Sequence, residues 1–157
     1  MQIFLTILAG VVTFVCGQMA IKLLIDPVQS FKKTVAEIAY KLILHANRYA
    51  NPRSLDDEAQ AEMCSDFRNL SSQLMSAHQL IPGYKLSAKL FGLPNEKNVV
   101  KASKNLIALH NGHQGRLANQ GILNCYSAQR VREALGIYIP EGEYLDPEHE
   151  VVRAKNN

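Results

Sequence analysis

Apolar residues follow two different patterns along this chain. From Met1 to Ile21 there is no charged side chain, and IFLTILAGVVTFVCGQMAI is apolar all round before Lys22 appears. At ~1.5 Å rise per residue, a helix of this length crosses the ~30 Å of a bilayer's hydrocarbon. After the run, apolar residues recur on one side only. Val28, Phe31, Val35, Ile38, Leu42, Ala46 and Tyr49 follow one another in steps of three and four, which predicts a one-faced helix from Pro27 to Asn51, ended by Pro52. Asp26-Pro27 reads as an N-cap followed by proline at the first helical position, so a break between span and helix is expected there.

A second long helix is expected from about Ser54, with Ser54 and Asp57 as a capping-box-like pair. Its stripe is Ala59, Met63, Phe67, Leu70, Leu74 and Ala77, and Pro82-Gly83 ends it. Joined through a loop as short as Pro52-Arg53, the two helices are expected to lie antiparallel. Tyr84 to Phe91 reads as a short helix stopped by Gly92 and Pro94. Another follows from about Asn95 to His110, with Val99, Ala102, Leu106 and Leu109 inward and Gly112 near its end. His113 to Gly121 reads as a loop, and a last helix runs from Ile122 or Ser127 to Leu135, closed by Gly136. No alternating run is strong enough to predict a sheet, although Gly136 to Ile139 has room for a short extended piece. The expectation is an all-α chain: an N-terminal transmembrane helix followed by a small antiparallel helical domain. Its parts are an anchor over 1–25, a helical domain over 26–137 and a flexible acidic tail over 138–157, which carries Glu141, Glu143, Asp146, Glu148 and Glu150. The roughly 110 residues between span and tail suffice for one domain, not two.

Charge changes the picture of the first element. A secretory signal places Lys or Arg ahead of its apolar core and a small-x-small site after it. Here neither cation precedes the core, and the bulky Val15 sits before Cys16, where a lipoprotein site needs a small residue. The apolar stretch also continues through Leu23, Leu24 and Ile25, so an uncleaved anchor is expected. Lys22, Lys32, Lys33 and Lys41 lie just beyond the span, and the positive-inside bias places the C-terminal region in the cytoplasm. Cys64 and Cys125 stand apart without scaffold spacing, as thiols do in a reducing compartment.

Two sets of residues are candidates for a function. Thr6, Gly10, Thr13, Gly17 and Ala20, spaced four, three, four and three, form a small-residue face on the span. Such a face lets a second membrane helix approach closely, and Gln18 adds a carboxamide able to bond across that contact, so a homo-oligomer is expected. Lys85 and Lys89, one turn apart, and Lys97, Lys101 and Lys104 on the next helix form a basic face. It is open to anionic lipid, a nucleotide or nucleic acid, or simply to water. No aromatic residues interleave with it as in a base-stacking surface, and the formal net charge is only +3.

Catalytic motifs are missing. His110-x-x-His113 spans the expected helix end at Gly112 and has no cysteine or carboxylate close in sequence, so no metal is predicted. The helical-nuclease pattern needs an arginine a few residues before a histidine; Arg68 is ten before His78, and Lys104 precedes His110. There is no serine elbow, HExxH or paired-carboxylate motif. Asp56, Asp57, Glu58, Glu62 and Asp66 are explained as acids at the positive end of a helix. His45 and His78 read as partly buried structural side chains. No cofactor is implied.

The segments EIAYKLILHANRYANP, LSSQLMSAHQLIPGYKL and ASKNLIALHNG resemble a family of short bacterial membrane proteins with one N-terminal span, a DP-initiated helix and a small helical cytoplasmic domain. The resemblance covers Asp26 to about Asn111 and implies an architecture and a bacterial inner-membrane location, not an activity. In layout alone the chain is also similar to the pore-like membrane accessory protein of an RNA-targeting CRISPR system. Three functions compete: a non-catalytic anchored scaffold that pairs with itself or with a cytoplasmic protein, an oligomeric membrane effector or pore of a defence system, and a membrane-surface enzyme. The missing catalytic motifs favour the first over the third.

Overall fold

The computed structural model describes residues 1–114 and 117–152. Seven α-helices follow one another among them: α1 (Gln2–Ala20), α2 (Asp26–Leu44), α3 (Ala46–Ala50), α4 (Glu58–Gln79), α5 (Tyr84–Phe91), α6 (Glu96–Asn111) and α7 (Gln120–Leu135). A π-helical turn, Ile21–Ile25, joins α1 to α2, and a 3-10 turn covers Pro147–His149. No strand occurs among the described residues, and the chain is all-α.

The expected break at Asp26-Pro27 is replaced by a widened turn in a continuous rod from Gln2 to Leu44. Asp26 is itself helical (φ −60°, ψ −46°), and its N–H donates to the Ile21 carbonyl five residues back. Proline has no N–H to give, and its ring crowds the carbonyl four residues before it. Opening one turn to the wider spacing passes the ring without stopping the helix. An N-cap needs extended backbone ahead of the first turn. Residues 21–25 are already helical, so Asp26 caps nothing and instead pairs with Lys22 Nζ at 3.0 Å.

Burial divides the rod. None of α1 is buried, and the first buried side chain is Val28. From there Phe31, Ile38 and Leu42 enter a core with Met63, Phe67, Leu70 and Leu74 of α4 and Val99, Ala102, Leu106 and Leu109 of α6. Ala128, Val131, Ala134 and Leu135 of α7 complete it. α2 packs on α4, α4 on α6 and α6 on α7, while α3 and α2 close the ring against α7. The bundle is antiparallel, and each fully buried large side chain removes roughly 1.5–3 kcal/mol worth of apolar surface from water.

The start of α4 differs from expectation. Asp57, not Ser54, is the N-cap: its carboxylate accepts from the Gln60 N–H at 3.0 Å. Ser54 Oγ is engaged locally with Asp56. The connection therefore lengthens, and Gln60 is buried beneath it, accepting the Arg53 N–H at 3.2 Å. α7 begins earlier than expected, at Gln120, with Gly121 in its first turn because a Cβ there would lie 2.0 Å from the Ala50 carbonyl oxygen.

The predicted loop over 113–121 contains Gly115 and Arg116, and the predicted tail contains 153–157; these residues lie outside the described ones. Residues 137–151 run back along α7. Ile139 is buried, the Leu145 N–H donates to Gln129 Oε1 at 2.8 Å, and Arg132 pairs with Glu143 at 3.4 Å. Further along, Tyr126 donates to the Asp146 carbonyl, Arg130 pairs with Glu150, and Asn119 donates to the Val151 carbonyl.

Candidate functional site

The small-residue face of α1 is open along its length. Thr6, Gly10, Thr13, Gly17, Gln18 and Ala20 are all exposed, and a Cβ at Gly10 or Gly17 would meet nothing within 4 Å. Thr6 donates its hydroxyl to the Gln2 carbonyl at 3.0 Å, so its polar atom is satisfied within its own helix. Threonine can thus present its small apolar side to a neighbour without carrying an unpaired hydroxyl into lipid.

The five lysines do not form one group. Lys85, Lys89 and Lys97 surround a hollow of about 510 Å³ between α5 and the start of α6, together with Tyr84, Leu93 and Glu96. Lys101 and Lys104 are exposed on α6 outside that hollow. Tyr84 forms its wall. Its hydroxyl donates to the Pro94 carbonyl at 2.8 Å, its ring meets Phe31 edge-on at 6.1 Å, and burial pushes its phenol up to about 12. His78 lies against the Tyr84 ring at 4.1 Å, and neither of its buried ring nitrogens has a hydrogen-bond partner.

A polar network missed by the local sequence pattern ties α2 and α3 to α4. Asp66 Oδ2 receives Lys41 Nζ at 2.7 Å and His45 Nε2 at 2.8 Å. On its other side, His45 Nδ1 is 3.3 Å from the Arg48 guanidinium, which also faces Glu62 at 3.6 Å. Arg48 can only donate, so Nδ1 accepts and Nε2 carries the hydrogen donated to Asp66. Burial raises the Asp66 carboxyl, but the hydrogen bonds from Lys41 and His45 outweigh it and hold it below the usual range. Asp66 sits in the third turn of α4 and is held by these partners, not by the helix dipole assigned to it from the sequence. His45 is 1% exposed with both nitrogens engaged, leaving none to take a proton from a substrate. The arrangement fastens helices together.

A second buried polar residue, Asn124, closes the far end of the bundle. Its Nδ2 donates to the Tyr49 carbonyl at 2.9 Å and the Gly112 carbonyl at 2.7 Å, and its Oδ1 accepts from Gln120 at 3.0 Å. A Cβ at Gly112 would lie 2.0 Å from Oδ1, so α6 must end on glycine there. His110 turns Nδ1 to the Cys64 carbonyl at 2.8 Å, while His113 Nδ1 lies 3.1 Å from the carbonyl of its neighbour Gln114. Burial pushes the Cys64 and Cys125 thiols up, away from the reactive thiolate form. Among the described residues, no three His, Cys, Asp or Glu side chains come together as a metal group.

One helix is long and apolar enough to cross a membrane, with a mean hydropathy of 2.1 over its most apolar window and none of that window buried. No family of known proteins, no curated protein and no solved structure matches the chain.

Proposed function

We propose that this is a single-pass, membrane-anchored helical protein that acts as a non-catalytic interaction or scaffold module and associates with itself through α1. The observation that carries this reading is the rod. One helix supplies nineteen residues, none of them buried by the described residues, and then, past the π turn, a strut of the bundle core. A soluble protein gains nothing from leaving so many large apolar side chains in water. The lysines that follow the span support a cytoplasmic side for the bundle, and a bacterial inner membrane is the location that goes with this reading. The open small-residue face of α1 supports pairing with a second copy. The buried polar groups that sequence reasoning missed serve the bundle's rigidity, which suits a platform for a protein partner.

The test combines extraction and topology. The full chain should stay with the bilayer under alkaline carbonate, and a reporter fused at Asn157 should be active only in the cytoplasm. Release by carbonate ends the anchored reading, and reporter activity outside the cytoplasm ends the orientation. Purified chain in lipid vesicles that conducted ions would replace the scaffold with a membrane effector.

A further inference from the structure

The end of the bundle where α4, α5 and α6 meet points back toward the span. Lys41 on Asp66, followed by Arg48 of α3 on Glu62, runs α4 antiparallel to α2, so the last turn of α4 lies beside the first turns of α2. Ser71 Oγ on Ser103 Oγ at 2.8 Å, and His110 on Cys64, turn α6 back the same way. The Phe31–Tyr84 contact then fixes the level of α5. Phe31 is six residues past Ile25, ~9 Å along a helix axis, comparable with a headgroup layer of roughly 5–8 Å.

At that level the exposed surface has an unusual composition. The inward side of α5 is Tyr84, Ser87, Ala88 and Phe91. Its outward side carries two adjoining rows, Lys85 with Lys89 and Leu86 with Leu90. Leu86 is 76% exposed, Leu90 70%, and Leu80, just before the turn, 63%. The outward face of a surface helix is typically charged or polar. Lysine beside leucine is the pattern of a helix lying in a membrane interface. The acids at this end are few. Glu96 lines the hollow beside Lys97, and on the α7 side Glu143 is tied to Arg132 while Glu141 is exposed.

We propose that α5 and Leu80 form a second contact with the bilayer that α1 crosses, with Leu80, Leu86 and Leu90 entering the interface and Lys85, Lys89 and Lys97 meeting anionic headgroups. The proposal rests on the anchored reading above. It fixes the bundle against the surface, so that the protein touches the membrane at two places rather than swinging from one helix.

Backbone hydrogen exchange tests it, using the full chain in nanodiscs of phosphatidylcholine alone and with phosphatidylserine added. The α5 amides should exchange more slowly in the anionic discs. Lys85→Gln with Lys89→Gln should cut the docking equilibrium constant by roughly thirtyfold and weaken that protection, and Leu86→Ser with Leu90→Ser should also weaken it. All four positions are exposed, so α4 and α6 should keep their protection in both variants. Equal α5 exchange in the two lipids overturns the proposal and leaves the anchor standing. α5 protection that follows the number of copies per disc instead assigns the face to a second copy and also overturns it. A chain that fails to enter either disc overturns both readings.

Discussion

Asn124 joins three segments through one carboxamide, giving both amide hydrogens to the carbonyls that end α3 and α6. Asn124→Ala leaves those carbonyls buried without donors and should cost about 2–4 kcal/mol, read as a lowered urea midpoint of the full chain in detergent. An unchanged midpoint would mean that water replaces the side chain. His78 has the opposite sign. Its two ring nitrogens are buried and unpartnered, so His78→Leu should raise stability by about 1 kcal/mol in the same assay. Asp66 makes the bundle sensitive to acid. Its carboxyl is lowered in the folded chain, so the stability it adds is complete above about pH 4, the carboxylate value of an unfolded chain, and is lost as pH falls through the lower folded value. Lys41 is raised by its bond to Asp66, so its share is complete below about pH 10 and lost as pH climbs through the higher folded value. Asp66→Asn should therefore flatten the acid side of a stability profile taken from pH 3 to 7; a profile as steep as wild type assigns the acid loss elsewhere. His78 was legible in the sequence as a partly buried structural side chain, whereas the partnerships of Asn124 and Asp66 were not. The partners of Asp66 are 21 and 25 residues away, beyond any helical period.

At the scale of elements, legibility followed apolar spacing. In α6, Val99, Ala102, Leu106 and Leu109 are apolar, correctly spaced and all buried. α7 was harder because it opens on Gln120 and Gly121 and its buried set includes Asn124, Tyr126 and Ser127. Residues 137–151 cover a second side of it, so a one-sided stripe is not required. The capping signal near α4 misled for a related reason: Ser54 and Asp57 have the right spacing, but the chain continues as a turn, with the Asp57 N–H bonded to the Ser54 carbonyl, before the helix starts. Pro27 was recognised as a disturbance; sequence rules treat a proline as a boundary, whereas here a wider turn absorbs it within a continuing helix. Pro27→Ala restores a donor for the Leu23 carbonyl, and the Ile21–Ile25 turn should relax toward α spacing. Slower amide exchange over Leu23 to Val28 is the expected sign, and unchanged exchange would free the proline of responsibility.

For the whole molecule, the proposed self-association rests on the open face of α1. Gly10→Leu with Gly17→Leu keeps the span apolar but holds backbones apart, so crosslinked dimers should fall several-fold while carbonate resistance persists. Leu8→Ala with Val15→Ala should matter less. If the wild type yields no crosslinked species in membranes, the face is a tolerated pattern and the chain is a monomeric anchor. Composition revealed at once a helix long and apolar enough to cross a membrane, but its proposed pairing has no signature within one chain, because every contact it would make lies outside that chain.

The widened turn at Ile21–Ile25 also acts as a gear. Along an α-helix each residue advances the azimuth by ~100°, and a turn with i→i−5 bonds advances it more slowly. The heading of the bundle around the axis of α1 is therefore fixed by that turn relative to the side of the shaft that carries Gly10 and Gly17. Two copies clasped through the shaft would present their bundles at one set angle, and with it one set spacing between their outward surfaces. Pro27→Ala would then do more than straighten a helix. By turning each bundle on its shaft, it should move the positions at which paired bundles can be crosslinked, while the crosslinks within the span stay where they were.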